Sequence, residues 1–161
     1  MKYLLVLPPL LALASAPLLA GCPQGAQTVL SCAMKNGKKL DVCILKDTII
    51  YAYGARKARP ELRLEEPVKT VRHTPWNGIG RSIWETTAFT NNGYSYEVYI
   101  SYDKFDRKNE GGVIVSRDGK ELARLECLSR GLDIGLSAVS EAKEKAGICW
   151  SYDTHAWGRC E

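Results

Sequence analysis

Residues 79–102 constrain what this chain can fold into more than any other stretch. They read Ile-Gly-Arg-Ser-Ile-Trp-Glu-Thr-Thr-Ala-Phe-Thr, then Asn-Asn-Gly, then Tyr-Ser-Tyr-Glu-Val-Tyr-Ile-Ser-Tyr. Two runs rich in β-branched and aromatic residues flank an Asn-Gly pair, whose tolerance of positive φ suits a two-residue hairpin turn. With Asn92-Gly93 as that turn, Asn91 pairs with Tyr94 and the register follows by counting. Ile83, Thr87 and Phe89 then share a face with Tyr96, Val98, Ile100 and Tyr102. Trp84, Thr86 and Ala88 share the other with Glu97, Tyr99 and Ser101. The first face is the more apolar and should look inward, because strand side chains alternate strictly. Glu85 falls on that inner face, opposite Ile100. Either Arg81, on the same face, pairs with it, or a β-bulge turns it outward.

The same pattern runs along most of the chain. Thr28–Met34 and Lys38–Leu45 flank a second Asn-Gly, Asn36-Gly37. A two-residue turn there puts Val29, Ser31 and Ala33 on one face with Leu40, Val42 and Ile44, and leaves Cys32 and Cys43 diagonal on the outer face. A four-residue loop would bring those cysteines opposite each other, so a bridge from one of them, Cys43 slightly preferred, to Cys127 is expected. A turn at Lys46-Asp47 leads to Thr48–Tyr53, with Ile49, Tyr51 and Tyr53 inward. Leu62 and Leu64 point inward from Glu61–Glu66, Pro67 ends that strand, and Val68–His73 reads as another. Thr74–Gly80 and the charged Lys104–Gly112 read as loops, and Val113–Ser116 with Glu121–Cys127 as a hairpin about Asp118-Gly119. The prediction is an all-β fold, an antiparallel meander barrel or sandwich of about 8–9 strands. Behind it, Leu128–Leu136 is irregular, Ser137–Ala146 is a short helix capped by Ser137 and ended by Gly147, and a Cys149–Cys160 disulfide closes the tail.

The net charge of +4 is interspersed, without the basic run that nucleic-acid binding would need. Lys2 and the apolar Tyr3–Leu19 read as a signal peptide, and Pro8, Pro9 and Pro17 make that run a poor spanning helix. Leu19-Ala20-Gly21-Cys22 resembles a lipobox, which implies cleavage and lipidation at Cys22. The resemblance, with Pro23 rather than aspartate following, implies an outer-membrane lipoprotein facing the periplasm, held to the membrane by its lipid anchor. Simple secretion is the alternative. The division is then a signal peptide (1–21), a lipid-anchored linker (22–27), a β domain (28–127) and a helix and disulfide-loop tail (128–161). Six cysteines fit an oxidising compartment. With Cys22 lipidated, five remain and one thiol is left over; otherwise three bridges can form. No cysteine pair has CxxC spacing, so neither a metal nor another cofactor is expected.

The candidate binding residues are mostly aromatic. Trp150, Tyr152, His155, Trp157 and Arg159 crowd the terminal loop and are of the types that dominate interface hot spots. Trp84 and Tyr99 form a second candidate patch on the outer face of the central hairpin, unless the helix covers them. Asp153 and His155, two apart, suggest an acid–base pair, but neither a nucleophile nor a group to stabilise developing charge accompanies them. No catalytic residue is therefore assigned. His73 reads as structural, and Gly78-Ile79-Gly80 precedes a strand, whereas a phosphate loop opens a helix.

Gly78-Ile79-Gly80-Arg81-Ser82-Ile83-Trp84-Glu85 and Asn92-Gly93-Tyr94-Ser95-Tyr96, with Ser31-Cys32, Asn36-Gly37-Lys38, Val42-Cys43 and Gly111-Gly112-Val113, resemble a group of small secreted bacterial β proteins of uncharacterised function. That resemblance covers residues 28–127 and implies an envelope or secreted location. A weaker similarity is to the membrane-bound inhibitors of C-type lysozyme, lipid-anchored antiparallel barrels that insert a Ser-Gly-x-x-Tyr loop into the enzyme. Here Asn92 stands in place of that serine, while Gly93 and Tyr96 are kept. The similarity implies Gly93 and Tyr96 as contact residues. The expected function is a non-catalytic envelope lipoprotein that binds a macromolecule, protein or glycan, in one version as a hydrolase inhibitor. The alternatives are a hydrolase or glycan-processing enzyme using Asp153 and His155, and a purely structural envelope lipoprotein.

Overall fold

The computed structural model describes residues 21–161; the signal segment expected at 1–21 lies outside them apart from Gly21. Two five-stranded antiparallel sheets dominate. The first contains β1 (Gln27–Ala33), β2 (Lys39–Leu45), β3 (Thr48–Gly54), β4 (Leu62–Pro67) and the short β10 (Asp133–Ile134), in the order β10-β1-β2-β3-β4. The second contains β5 (Arg72–Thr74), β6 (Ser82–Asn91), β7 (Tyr94–Asp103), β8 (Lys108–Arg117) and β9 (Lys120–Glu126) in chain order. A helix, α1 (Ala138–Lys145), and a separate hairpin, β11 (Ile148–Ser151) with β12 (Ala156–Arg159), complete the described residues. The all-β class with one short helix is as expected.

The central hairpin keeps its predicted register residue for residue, from Asn91↔Tyr94 to Glu85↔Ile100 and Ile83↔Tyr102. Asn92 and Gly93 both take positive φ, 50° and 79°, as the two-residue turn requires. Its inner face meets the first sheet in the core, where Tyr51 lies 5.4 Å from Phe89 and 5.8 Å from Tyr96 between ring centroids. Phe89, Val98, Val113, Leu40, Val42 and Ile49 are all fully buried there. That apolar interior, removed from water, supplies the main stabilisation of the fold.

The first hairpin corrects the sequence reading. Its turn is a three-residue loop, Lys35–Gly37, with the Met34 amide donating to the Lys38 carbonyl and Gly37 at φ 82°. The pairing becomes Cys32↔Leu40 and Ala33↔Lys39, one residue from the predicted register. A slip of one turns every side chain over. Leu30 and Cys32 therefore look into the core, and Ser31 looks out, where its hydroxyl donates to Asp41 at 2.7 Å.

That slip also sets the disulfides. Buried Cys32 bridges Cys127 across the seam between the sheets, where Met34 also pairs with Cys127. Cys43 faces the other way and bridges Cys22. A bridge from one of the two strand cysteines to Cys127 forms as expected, but from Cys32 rather than the preferred Cys43, and Cys149 and Cys160 are joined. Cys22, the cysteine on which lipidation is expected, is the partner of Cys43, and one sulfur atom cannot carry both a disulfide and a lipid thioether. All six cysteines are bridged, consistent with an extracytoplasmic or secreted protein. No helix among the described residues is long and apolar enough to cross a membrane.

Other differences are local. The described residues form twelve strands rather than about 8–9, because the tail and the Leu128–Leu136 stretch add β10, β11 and β12. Val68–Val71 forms a turn that Pro67 starts, leaving only Arg72–Thr74 as β5. The charged 104–112 segment is mostly strand; its turn is four residues, Lys104–Arg107. Gly111 and Gly112 sit in that strand because a side chain would collide there. A Cβ on Gly112 would lie 2.3 Å from the Leu125 carbonyl and 2.7 Å from the Tyr99 hydroxyl, and one on Gly111 would lie 3.0 Å from Leu30.

Candidate functional site

The tail hairpin does more than close a loop. Trp150 and Trp157 are directly opposite in the β11–β12 register, with ring centroids 5.3 Å apart. The Trp157 indole N–H donates to the His73 carbonyl at 2.7 Å, which joins the hairpin to β5. Between the hairpin and the outer face of the second sheet lies an open cleft of about 490 Å³. Arg72 and Glu97 line it from the sheet, His155 and Trp150 from the hairpin, and His73 and Trp157 at the junction. Strand parity explains the sheet side, since Arg72 is opposite Ala88, and Ala88 opposite Glu97, all on the outer face. The Arg72 guanidinium is held there by a 3.0 Å hydrogen bond to the Ser95 hydroxyl.

Beneath the cleft, helix α1 contributes a buried polar group. Ser140 and Lys143, three apart, share one helix face. His73 Nε2 lies 3.1 Å from the Ser140 hydroxyl and its Nδ1 lies 3.0 Å from that of Thr87. Burial, helped by the nearby charge of Lys143, lowers the His73 pKa to about 4, so the ring is neutral at neutral pH. Lys143 is itself buried; its ammonium donates to the Lys69 carbonyl at 3.1 Å and lies 5.0 Å from the Trp157 ring centroid. Burial lowers its pKa as well. The cation–π contact and the carbonyl compensate for part of the hydration that a buried ammonium loses.

Glu85 is a further buried charge-bearing group beside the helix. It stays on the inner face, and both carboxylate oxygens accept from the Ser137 amide at 3.1 Å. It thus caps the N-terminus of α1, a role the sequence reading gave to the Ser137 hydroxyl, which makes no cap hydrogen bond. Arg81 is not its partner; that guanidinium pairs with Asp103 at 2.5 Å and Asp106 at 2.6 Å.

Of the residues singled out in the sequence, Trp150, His155 and Trp157 come together at the cleft. Tyr152 points from the hairpin turn toward the 75–81 loop, its hydroxyl 3.5 Å from the Trp76 carbonyl. Arg159 lines a separate hollow beside the Cys149–Cys160 bridge. Trp84 is partly exposed on the outer face and Tyr99, half-buried, covers Gly112, while α1 packs chiefly against β11 and β1. Gly93 lies at a turn tip, whereas Tyr96 packs against Tyr51. Asp153 and His155 are both exposed on the tail hairpin, and no hydrogen bond joins them among the described residues. No group of three or more His, Cys, Asp or Glu residues suited to a metal ion occurs among the described residues.

Arg72, Glu97, Ser140 and Lys143 escaped the sequence reading. The three-residue spacing of Ser140 and Lys143 was visible, but the helix's orientation on the sheets was not. Comparison with known proteins finds no matching family model, curated protein or solved structure.

Proposed function

We propose that this chain is a non-catalytic binding domain of an oxidising compartment, the cell envelope or the space outside it, that seats a segment of a protein partner in the tail-hairpin cleft. The observation that supports the reading is the meeting of Trp150, Trp157, His155 and Arg72 around one open cleft. Large aromatic rings beside an arginine are the composition of interface anchors. The hairpin that carries them is held by a disulfide, a Trp–Trp pair and the Trp157–His73 hydrogen bond. Little ordering would then be lost on binding, which favours affinity.

The hydrolase-inhibitor version of this reading runs through the cleft. It does not run through Asn92–Tyr96, where the tyrosine that would be inserted packs on Tyr51. A lipid anchor on Cys22 would require the Cys22–Cys43 bridge to be absent, leaving Cys43 as a buried thiol.

The test uses the exported, disulfide-bonded protein as bait in periplasmic extract and with purified C-type lysozyme. Capture or inhibition should fall at least tenfold in Trp150→Ala and Arg72→Glu and be unchanged in Trp84→Ala. A partner held equally well by all four proteins would remove the cleft from the reading.

A further inference from the structure

We infer that one end of the second sheet is a docking tip for an anionic lipid surface, independent of any covalent anchor. Two loops meet at that end: 75–81, which enters β6, and Lys104–Arg107, which joins β7 to β8. Each presents a large apolar side chain to solvent. Ile79 is 76% exposed and Phe105 is 74% exposed, the highest values among the large hydrophobic residues of the described chain. Scattered single exposures need no explanation. These two are held on adjacent loops by one guanidinium. Arg81 pairs with Asp103 in β7 and with Asp106 in the turn, and lies 5.3 Å from the centroid of the Phe105 ring. The Lys104 amide donates to the Arg81 carbonyl at 3.3 Å. The 75–81 loop is fixed internally, with the Trp76 indole N–H donating to the Ile79 carbonyl at 2.9 Å and the Ile79 amide to Asn77 Oδ1 at 3.2 Å. Lys104 lies 5.1 Å from the Trp76 ring centroid. Phe105 and Ile79 are therefore displayed on braced loops.

The charges around them choose the partner. Arg81 already satisfies Asp103 and Asp106, and Arg81 holds the Asp103 pKa down to about 2, so that carboxylate stays ionised and paired. Lys104, Arg107 and Lys108 have no carboxylate partner among the described residues. The tip thus combines two apolar side chains, an interfacial-type tryptophan in Trp76 and a collar of three cations without carboxylate partners among the described residues, one of them, Lys104, over the Trp76 ring. An apolar protein groove would match the first feature alone. A surface with an apolar layer beneath a negatively charged one matches all three: the apolar pair enters the headgroup–acyl boundary while the cations stay among the headgroups.

Vesicle cosedimentation tests this with the exported, disulfide-bonded protein. It should bind phosphatidylglycerol-rich vesicles and not phosphatidylcholine vesicles, and release as salt is raised. Ile79→Asp with Phe105→Asp should abolish binding, and Lys104→Glu with Lys108→Glu should weaken it by more than tenfold; circular dichroism of both pairs should match the native fold. Phe105→Trp should bind and blue-shift its fluorescence only with the anionic vesicles. Equal binding by the aspartate pair would overturn the proposal. So would absence of vesicle binding together with concentration-dependent self-association lost in that pair, which would assign the tip to a second copy of the chain. Because none of these residues lines the cleft, this result stands or falls separately from the partner capture.

Discussion

Glu85 and His73 are two buried titratable side chains on the same face of neighbouring strands, and burial moves them in opposite directions. Burial lifts Glu85 from 4.5 to about 7, a rise that the Ser137 amide opposes and the charge of Glu141 adds to. Burial lowers His73 from 6.5 to about 4. For Glu85, the unfolded chain releases its proton from about pH 4.5 while the folded chain keeps it to about pH 7. Its contribution to stability therefore falls with rising pH across that window, by about 3 kcal/mol in all. For His73, the unfolded chain gains a proton below about pH 6.5 and the folded chain refuses it until about pH 4. Its contribution falls with falling pH, by about the same amount. Between roughly pH 4.5 and 6.5 the two slopes oppose each other and nearly cancel. Urea midpoints measured across that range check this. Relative to the native protein, Glu85→Gln should gain stability as pH rises, and His73→Gln should gain it as pH falls. A parallel pH dependence in all three proteins would show that neither group is buried as described.

At the scale of elements, the tail is a unit docked onto the sheets. It touches them through the Trp157–His73 and Lys143–Lys69 hydrogen bonds and the Glu85 cap on α1. Its own bridge spans 11 residues, for which chain-entropy loss is worth about 3 kcal/mol, whereas the Cys32–Cys127 bridge spans 95 and is worth about 4–5 kcal/mol. Cys149→Ser with Cys160→Ser should therefore loosen the hairpin while leaving the sandwich folded. Hydrogen exchange should quicken at Ile148–Arg159 and stay slow in β6 and β7. Cooperative unfolding of the whole chain at the same denaturant as the tail would contradict a separable unit. What was legible in the sequence divides along the same line. The β6–β7 register could be counted because Asn-Gly dictated a two-residue turn and one face was clearly apolar. The β1–β2 register was missed because its Asn-Gly sits in a three-residue loop, and alternation there was apolar on both faces: Leu30 and Cys32 on one, Val29 beside them. The cleft escaped for a different reason. Arg72 and Glu97 lie 25 residues apart in sequence and meet Trp150 only through the docking of α1, whose short apolar stripe carries little information about where it packs.

Across the whole molecule, the disulfides decide how the chain is held in its compartment. Cys32–Cys127 ties β1 to the end of β9, where Leu128 donates to the Ala33 carbonyl and Cys127 to that of Gly111, and so joins the two sheets at one seam. Cys22–Cys43 fastens the segment before β1 to the outer side of the first sheet. That second bridge competes with acylation for one sulfur atom. In the bridged state Cys43 is buried and consumed; in an acylated state it would be a buried thiol without a partner in a compartment that oxidises thiols. An even count of cysteines favours the bridged state, in which all six pair. Intact mass spectrometry of the protein isolated from cells distinguishes the two. The expected mass lacks acyl chains, rises by the mass of six hydrogens on reduction, and yields a Cys22–Cys43 linked peptide after proteolysis under non-reducing conditions. A mass increment of lipid size on the peptide containing Cys22, with Cys43 alkylated without prior reduction, would reverse the assignment and make membrane attachment covalent. In that event the Ile79–Phe105 tip would add orientation to an attachment already made, and the vesicle experiment would have to be read from the difference between native and tip variants.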